Sequence, residues 1–186
     1  MRPEIELFRS IHLGAKSPLL DFVSLLFSWS ALGWLPPLVA LLLLLSPKTK
    51  SYTAPILLSS LLGGLIIVHA IKDVMPRPRP SNLSFAQPME AHRQSSFPSG
   101  HTTLAFCTAT SAFWVARRRG HRYVGGVLFP WATMVGWSRV YRGVHWPSDV
   151  VAGACLGLLV GSLVEMAFRK FGGDGGEPEA IPVQGQ

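Results

Sequence analysis

The stretch APILLSSLLGGLIIVHAIKDVM, residues 54–75, holds no Asp, Glu, Lys or Arg until Lys72 and Asp73 near its end. A hydrocarbon core of ~30 Å takes about 20 helical residues, so this run is long enough to cross one. Further apolar blocks lie at 18–31, 33–45, 102–116, 123–137 and 150–168. A soluble domain usually alternates its apolar residues; here they come in blocks, and mean hydropathy is +0.32. The pattern predicts an all-α integral membrane protein, a bundle of six transmembrane helices, in place of a soluble helical core. Several blocks are short for a lone span, so tilt or polar ends must complete them.

The net charge of +7 raises nucleic acid as a partner, and the distribution argues against it. Basic residues cluster between apolar blocks: PKTK at 47–50, RRRGHR at 117–122 and RK at 169–170. Cytoplasmic loops carry such clusters. With six spans they share a side with Arg2, Arg9 and Lys16, giving eleven Lys and Arg inside against six outside. Both termini are thus expected in the cytoplasm of a multi-pass plasma (inner) membrane protein. The first 16 residues have acids and no signal-peptide core. Their Ile5, Leu7, Phe8, Ile11 and Leu13 suit a helix lying on the membrane surface. Cys107 and Cys155 fall inside apolar blocks and read as small core residues. A single domain is expected over 1–170, with a disordered Gly- and Pro-rich tail over 171–186.

The six-span layout puts 72–98, 99–103 and 138–149 on the outer face, and the unusual polar residues fall there. In KDVMPRPRP, Lys72 and Arg79 flank prolines that stop a helix. They read either as snorkelling side chains or as an anion clamp, since Arg offers a planar fork for phosphate oxygens. In SSFPSGHTT, Ser99 suits an N-cap and Gly100 lets a ligand approach the backbone of a helix start, which favours an anion. His101 adds a titratable ring there. In SRVYRGVHWPSD, Arg139 adds a cation, and His145 and Asp149 stand four apart. A carboxylate on one imidazole nitrogen leaves the other to act as base or nucleophile. Arg142 reads as an interfacial anchor. His101, His145 and Asp149 could ligate zinc, but Lys72, Arg79 and Arg139 would repel a divalent cation, so no metal is expected.

These residues resemble the three signature motifs of the type 2 phosphatidic acid phosphatase family: K-x6-RP (Lys72, Arg79, Pro80), PSGH (Pro98 to His101) and SR-x5-H-x3-D (Ser138, Arg139, His145, Asp149). The resemblance implies a membrane lipid phosphatase with its site at the outer membrane–water interface and no cofactor. It implies His145 as nucleophile forming a phosphohistidine, Asp149 orienting its ring and His101 as general acid. Lys72, Arg79, Arg139, Ser99 and Gly100 would cradle the phosphate. Family substrates include undecaprenyl diphosphate, phosphatidylglycerol phosphate, phosphatidic acid and lipid A phosphates; the prenyl diphosphate is favoured. A non-catalytic lipid-phosphate binding protein or transporter is the alternative of another class, and a soluble-substrate phosphatase or haloperoxidase stands third. The 81–97 loop is expected to cap the site, with His92 and Arg93 as head-group candidates.

Overall fold

The structure, a computed structural model, describes residues 2–14, 16–91, 94–121 and 123–171. The described chain is helical without strands. Its helices are α1 (Arg2–Leu13), α2 (Pro18–Ser30), α3 (Leu35–Leu42, continued by a 3-10 turn to Leu45), α4 (Lys50–Val74), α5 (Gly100–Arg118), α6 (Tyr123–Tyr141) and α7 (Pro147–Phe171). Each apolar block is therefore a helix. Local chemistry sets the ends: Ser17 accepts from the Leu20 N–H at 3.3 Å, Pro18 and Pro147 open helices, and the prolines after Met75 stop α4. Phe171 is still helical, and the tail beyond it lies outside the described residues.

Helix α5 is the hub, packed against α3, α4, α6 and α7. Its buried side chains are small, among them Ala105, Cys107, Ala109, Ser111 and Ala112. Against them α7 lays Gly153, Gly157 and Gly161 at four-residue spacing. A Cβ at Gly157 would lie 2.5 Å from Phe106 Cβ and 2.6 Å from the Thr103 carbonyl oxygen. Where lipid is as apolar as the core, helices associate through such close backbone approach. Large apolar side chains point outward instead: Phe22, Leu26, Leu41, Leu65, Leu159 and Met166 are all exposed. Cys107 is buried as expected, but Cys155 is exposed on α7 and is no core residue. An apolar block lacks the polar face that would distinguish lipid side from core side.

The main correction concerns the first two blocks. Helix α2 starts at the site end, where the Tyr141 hydroxyl donates to Asp21 Oδ1 at 2.6 Å. Helix α3 ends at the other end, near where Arg119 donates to the Lys48 carbonyl at 3.1 Å. Joined with a 61° bend, the two run the bundle once. Alone, the 13 residues of α2 reach only ~20 Å at 1.5 Å per residue. Among the described residues the chain thus runs the bundle five times, and α1 lies at the end opposite the close of α7. For the described residues this departs from the expectation of both ends on one side. Among the described residues, moving Arg2, Arg9 and Lys16 to the site end leaves seven Lys and Arg opposite the site against eight beside it, so the count no longer orients the protein. By length and composition α4 and α7 can cross a membrane, and the bent α2–α3 pair is a third candidate.

Candidate active site

The last turn of α4, the Pro-rich segment after it, the start of α5, the end of α6 and the turn before α7 converge at one end of the bundle. Lys72, Arg79, Gly100, His101, Arg139 and His145 line one cavity of about 250 Å³. Six of the eight residues singled out in the sequence thus share a wall. Asp149 lies behind His145, fully buried. Ser99 occupies the N-cap position of α5 but does not cap through its side chain: its hydroxyl pairs with Thr102 Oγ1 at 2.8 Å. Its backbone N–H donates to the Asp149 carbonyl at 3.1 Å, tying the α5 start to α7. At Gly100 an added Cβ would meet only Val68 Cγ1 at 3.5 Å. Packing does not demand glycine there; the bare backbone faces the cavity.

His145 Nδ1 stands 3.4 Å from Asp149 Oδ2, and Arg79 Nη1 stands 3.4 Å from His145 Nε2. The first distance is long for a full hydrogen bond, as catalytic contacts without substrate often are. Asp149 Oδ2 also accepts from the Trp146 N–H at 2.9 Å and from the Ser96 hydroxyl. Burial pushes the His145 ring down to about 3, with the Arg139 and Arg79 charges adding to the effect and Asp149 opposing it. The imidazole is therefore neutral at pH 7, as a nucleophile must be. The turn carrying it passes through Gly143 at φ +78, where a Cβ would lie 2.7 Å from His12 Cε1. A larger residue there is strained twice, by conformation and by the ring.

Arg79 is held rigidly. It donates to the carbonyls of Gln94 (2.9 Å), Val144 (2.6 Å) and Ser95 (3.2 Å). Burial lowers it to about 10, so it stays charged at neutral pH. Lys72 Nζ donates to the Ser95 carbonyl at 2.5 Å. Arg139 is fully buried and reaches Glu90 Oε2 at 2.9 Å and the Ser28 hydroxyl. Arg142 is not the interfacial anchor expected: it is buried, with Nε 2.5 Å from Glu90 Oε1. Two cations three apart at a helix end can share one acid, and Glu90 supplies it.

Sequence reasoning missed Glu90, Ser96 and Arg77, whose Nη1 lies 2.6 Å from Asp149 Oδ1. Arg77 was in view within PRPRP, but only the second arginine falls at the motif spacing. Glu90 sits in a loop with no periodicity to flag it. That loop does close over the site end: the Met89 N–H donates to the Arg142 carbonyl at 3.0 Å. His92 and Arg93 lie outside the described residues.

The cavity opens onto an apolar groove of about 420 Å³ between α3 and α4, lined by Pro37, Leu57, Leu61 and Leu65. Gly33, Gly64, His69 and Leu104 border both spaces. A cationic pocket lined by three imidazoles, those of His69, His101 and His145, can grip a phosphate and move protons, while the groove beside it offers room for a hydrocarbon chain.

The PAP2 superfamily model matches residues 53–171, which contain all of these motif residues. The chain belongs to the PAP2 superfamily. A probable lipid phosphate phosphatase beta of Arabidopsis thaliana is 34% identical over 87% of this chain and 86% of its own. An undecaprenyl-diphosphatase of Bacillus subtilis is 27% identical over 85% and 80%. The crystal structure of a transmembrane PAP2-type phosphatidylglycerolphosphate phosphatase from Bacillus subtilis superposes with a TM-score of 0.74 at 26% identity, covering 91% of this chain and 86% of that one. This PAP2 protein is accordingly a phosphatase of the lipid phosphatase family, and its apolar helices fit a membrane location.

Proposed function

We propose that the protein hydrolyses a lipid diphosphate, undecaprenyl diphosphate by preference, through a phosphohistidine and without a metal. One observation carries the reading: three cations and the two motif histidines, with His69 beside them, wall a single cavity that runs into an apolar groove. His145 Nε2 attacks the terminal phosphorus while the bond to the leaving oxygen breaks. His101 protonates that oxygen, releasing the lipid monophosphate. Water then attacks the phosphohistidine, giving up its proton to His101, and inorganic phosphate leaves. Asp149 holds the Nδ1–H and balances the positive charge the ring gains. Lys72, Arg79, Arg139 and the N–H groups at the α5 start neutralise the phosphoryl oxygens. The Ser99 hydroxyl keeps the α5 start in shape and can turn toward the phosphate.

The groove favours a single-chain prenyl lipid, because among the described residues it is one slot between two helices. Phosphatidylglycerol phosphate, phosphatidic acid or a lipid A phosphate is the second reading, favoured by the likeness to the phosphatidylglycerolphosphate phosphatase. The site would lie at the membrane–water interface, facing away from the cytoplasm. Exposed Lys48, Lys50, Arg117, Arg118 and Arg119 gather at the opposite end against exposed Arg9 and Lys16 beside the site, whereas Lys72, Arg79, Arg139 and Arg142 are buried. Detergent-purified protein tested against a panel of lipid phosphates in EDTA should release phosphate fastest from the prenyl diphosphate. Activity that vanishes with chelator and returns with Mg²⁺ would sink the cation-only mechanism.

A further inference from the structure

We propose that Arg77 is a positioning residue for Asp149, held in place by Glu4 of the N-terminal helix. The inference rests on the reading of Asp149 as the partner of His145.

Both oxygens of the buried carboxylate lead back to Arg77. Its Nη1 donates to Asp149 Oδ1 at 2.6 Å and to Ser148 Oγ at 2.7 Å. Its backbone carbonyl accepts from the Ser96 N–H at 2.9 Å, and the Ser96 hydroxyl donates to Asp149 Oδ2. Oδ2 is the oxygen facing His145 Nδ1. One residue thus fixes the rotation of the carboxylate from both sides, the far oxygen by charge and the near oxygen through a serine. That matters when the imidazole takes up phosphate. The ring becomes cationic, its Nδ1–H must meet an oxygen in plane, and a carboxylate free to turn would lose that contact.

The guanidinium is fixed in its own right. Nη2 pairs with Glu4 Oε2 at 2.8 Å, and the group lies 5.5 Å over the Trp146 ring. Glu4 also accepts from the Ser148 N–H at 3.3 Å and from its hydroxyl. Helix α1 presents Glu4 there because it is docked, not loose. Phe8 is fully buried against His12 (ring centroids 5.1 Å apart) and Trp146 (5.5 Å). His12 Nδ1 donates to the Tyr141 carbonyl at 2.7 Å while Nε2 accepts from the Gln87 N–H at 2.9 Å. A helix whose composition suits only the membrane surface therefore reaches the partner of the nucleophile through one ion pair.

Arg77 also borders an outer cavity with Asp73, Asn82 and Gln94, so direct contact with a head group is the rival role. Steady-state kinetics on full-length protein in detergent, with farnesyl diphosphate as substrate, separate the two. Arg77→Ala should lower kcat roughly 10–100-fold, the range for residues that orient a catalytic group, and leave KM within about twofold. Arg77→Lys, which keeps the charge and one contact, should recover most of the loss. Glu4→Ala should lower kcat less, and the double variant should be no worse than Arg77→Ala alone, because Glu4 acts through Arg77. A raised KM with kcat intact, or losses that add, would overturn the proposal. Should Arg77→Ala fail to fold, Arg77→Lys and Glu4→Ala decide: unchanged kcat in both overturns it as well. Asp149→Asn is the reference. If it is dead while Arg77→Ala matches wild type, only the positioning role fails; if Asp149→Asn keeps full activity, the reading of the site fails and takes this inference with it.

Discussion

Arg79 holds its Nη1 3.4 Å from His145 Nε2, on the ring edge away from Asp149. A guanidinium beside a nitrogen lone pair can act only as donor, so Nε2 is the unprotonated nitrogen. A phosphoryl oxygen bound by the same guanidinium would bring phosphorus within reach of that lone pair. This pairing, beside the motif, supports the role proposed for His145.

His145→Ala should abolish turnover, and His101→Ala should slow it by ~10²–10⁴-fold, the usual worth of acid–base help. The His101 loss should weigh more on a monoester lipid than on a diphosphate, whose leaving group needs less protonation. Labelled substrate quenched without acid should leave phosphate on wild type and on His101→Ala, but not on His145→Ala. Label confined to the His145 variant would exchange the two roles.

Glu90 faces both Arg139 and Arg142. Glu90→Gln leaves two buried guanidiniums without their counter-charge and should cost roughly 2–3 kcal/mol. That falls short of the cost of breaking a fully buried pair because Glu90 remains partly exposed. Glu6→Gln, on the exposed face of α1, should be within about 0.5 kcal/mol of wild type. Thermal unfolding in one detergent compares them; equal midpoints would deny Glu90 its structural part.

His145 and His12 are both pushed below the ordinary histidine value by burial. Between pH ~6.5 and the folded value, the unfolded chain binds more protons than the folded one, so stability must rise with pH there. For His145 the slope approaches ~1.4 kcal/mol per pH unit below pH 6.5. The thermal midpoint should fall from pH 7 to pH 5, and His12→Gln should fall less steeply. A flat profile would mean the rings are not neutral in the fold.

A Cβ at Gly33 would meet nothing within 4 Å, yet the residue borders both cavity and groove. Gly33→Leu should fold normally and fill the groove mouth. Turnover of a long prenyl diphosphate should drop about tenfold through KM, while p-nitrophenyl phosphate is unaffected. Equal effects on both substrates would show that the groove does not hold the chain.

The corrected topology can be read in cells. In a Cys155→Ala background, Ser10→Cys and Ser84→Cys should respond alike to an impermeant thiol reagent, and Lys48→Cys oppositely. If Ser10→Cys behaved like Lys48→Cys instead, α1 would belong to the far end.

The sequence made the site legible because phosphate chemistry needs rare side chains at fixed spacing: Lys72, Arg79, His101, Arg139 and His145 stand out against apolar surroundings. The blocks likewise announced the helices, since burial in lipid leaves little freedom of composition. What escaped were relations between segments. Nothing in 18–30 or 35–45 says that two short helices share one crossing; only the Asp21–Tyr141 contact at one end and the Lys48–Arg119 contact just past the other reveal it. Arg77, Glu90 and Glu4 are single charges, and a lone charge carries no sign of what it will meet. Gly153, Gly157 and Gly161 stand four apart in the sequence, but that spacing does not name the helix they face.

The docking of α1 also sets an order of assembly. Glu4 bonds to Ser148, 144 residues later in the chain. During synthesis α1 meets Arg77, Phe85 and Gln87 first and Tyr141 next, and its seat is complete only once Trp146 and Ser148 have left the ribosome. It must wait at the surface while the intervening helices insert, and only then can it settle over the completed turn. A truncated chain ending before Trp146 would keep the His12 bonds to Gln87 and Tyr141 but lose the ring over Phe8 and the Ser148 hold on Glu4, so incomplete products would leave Phe8 uncovered for quality-control proteases to find.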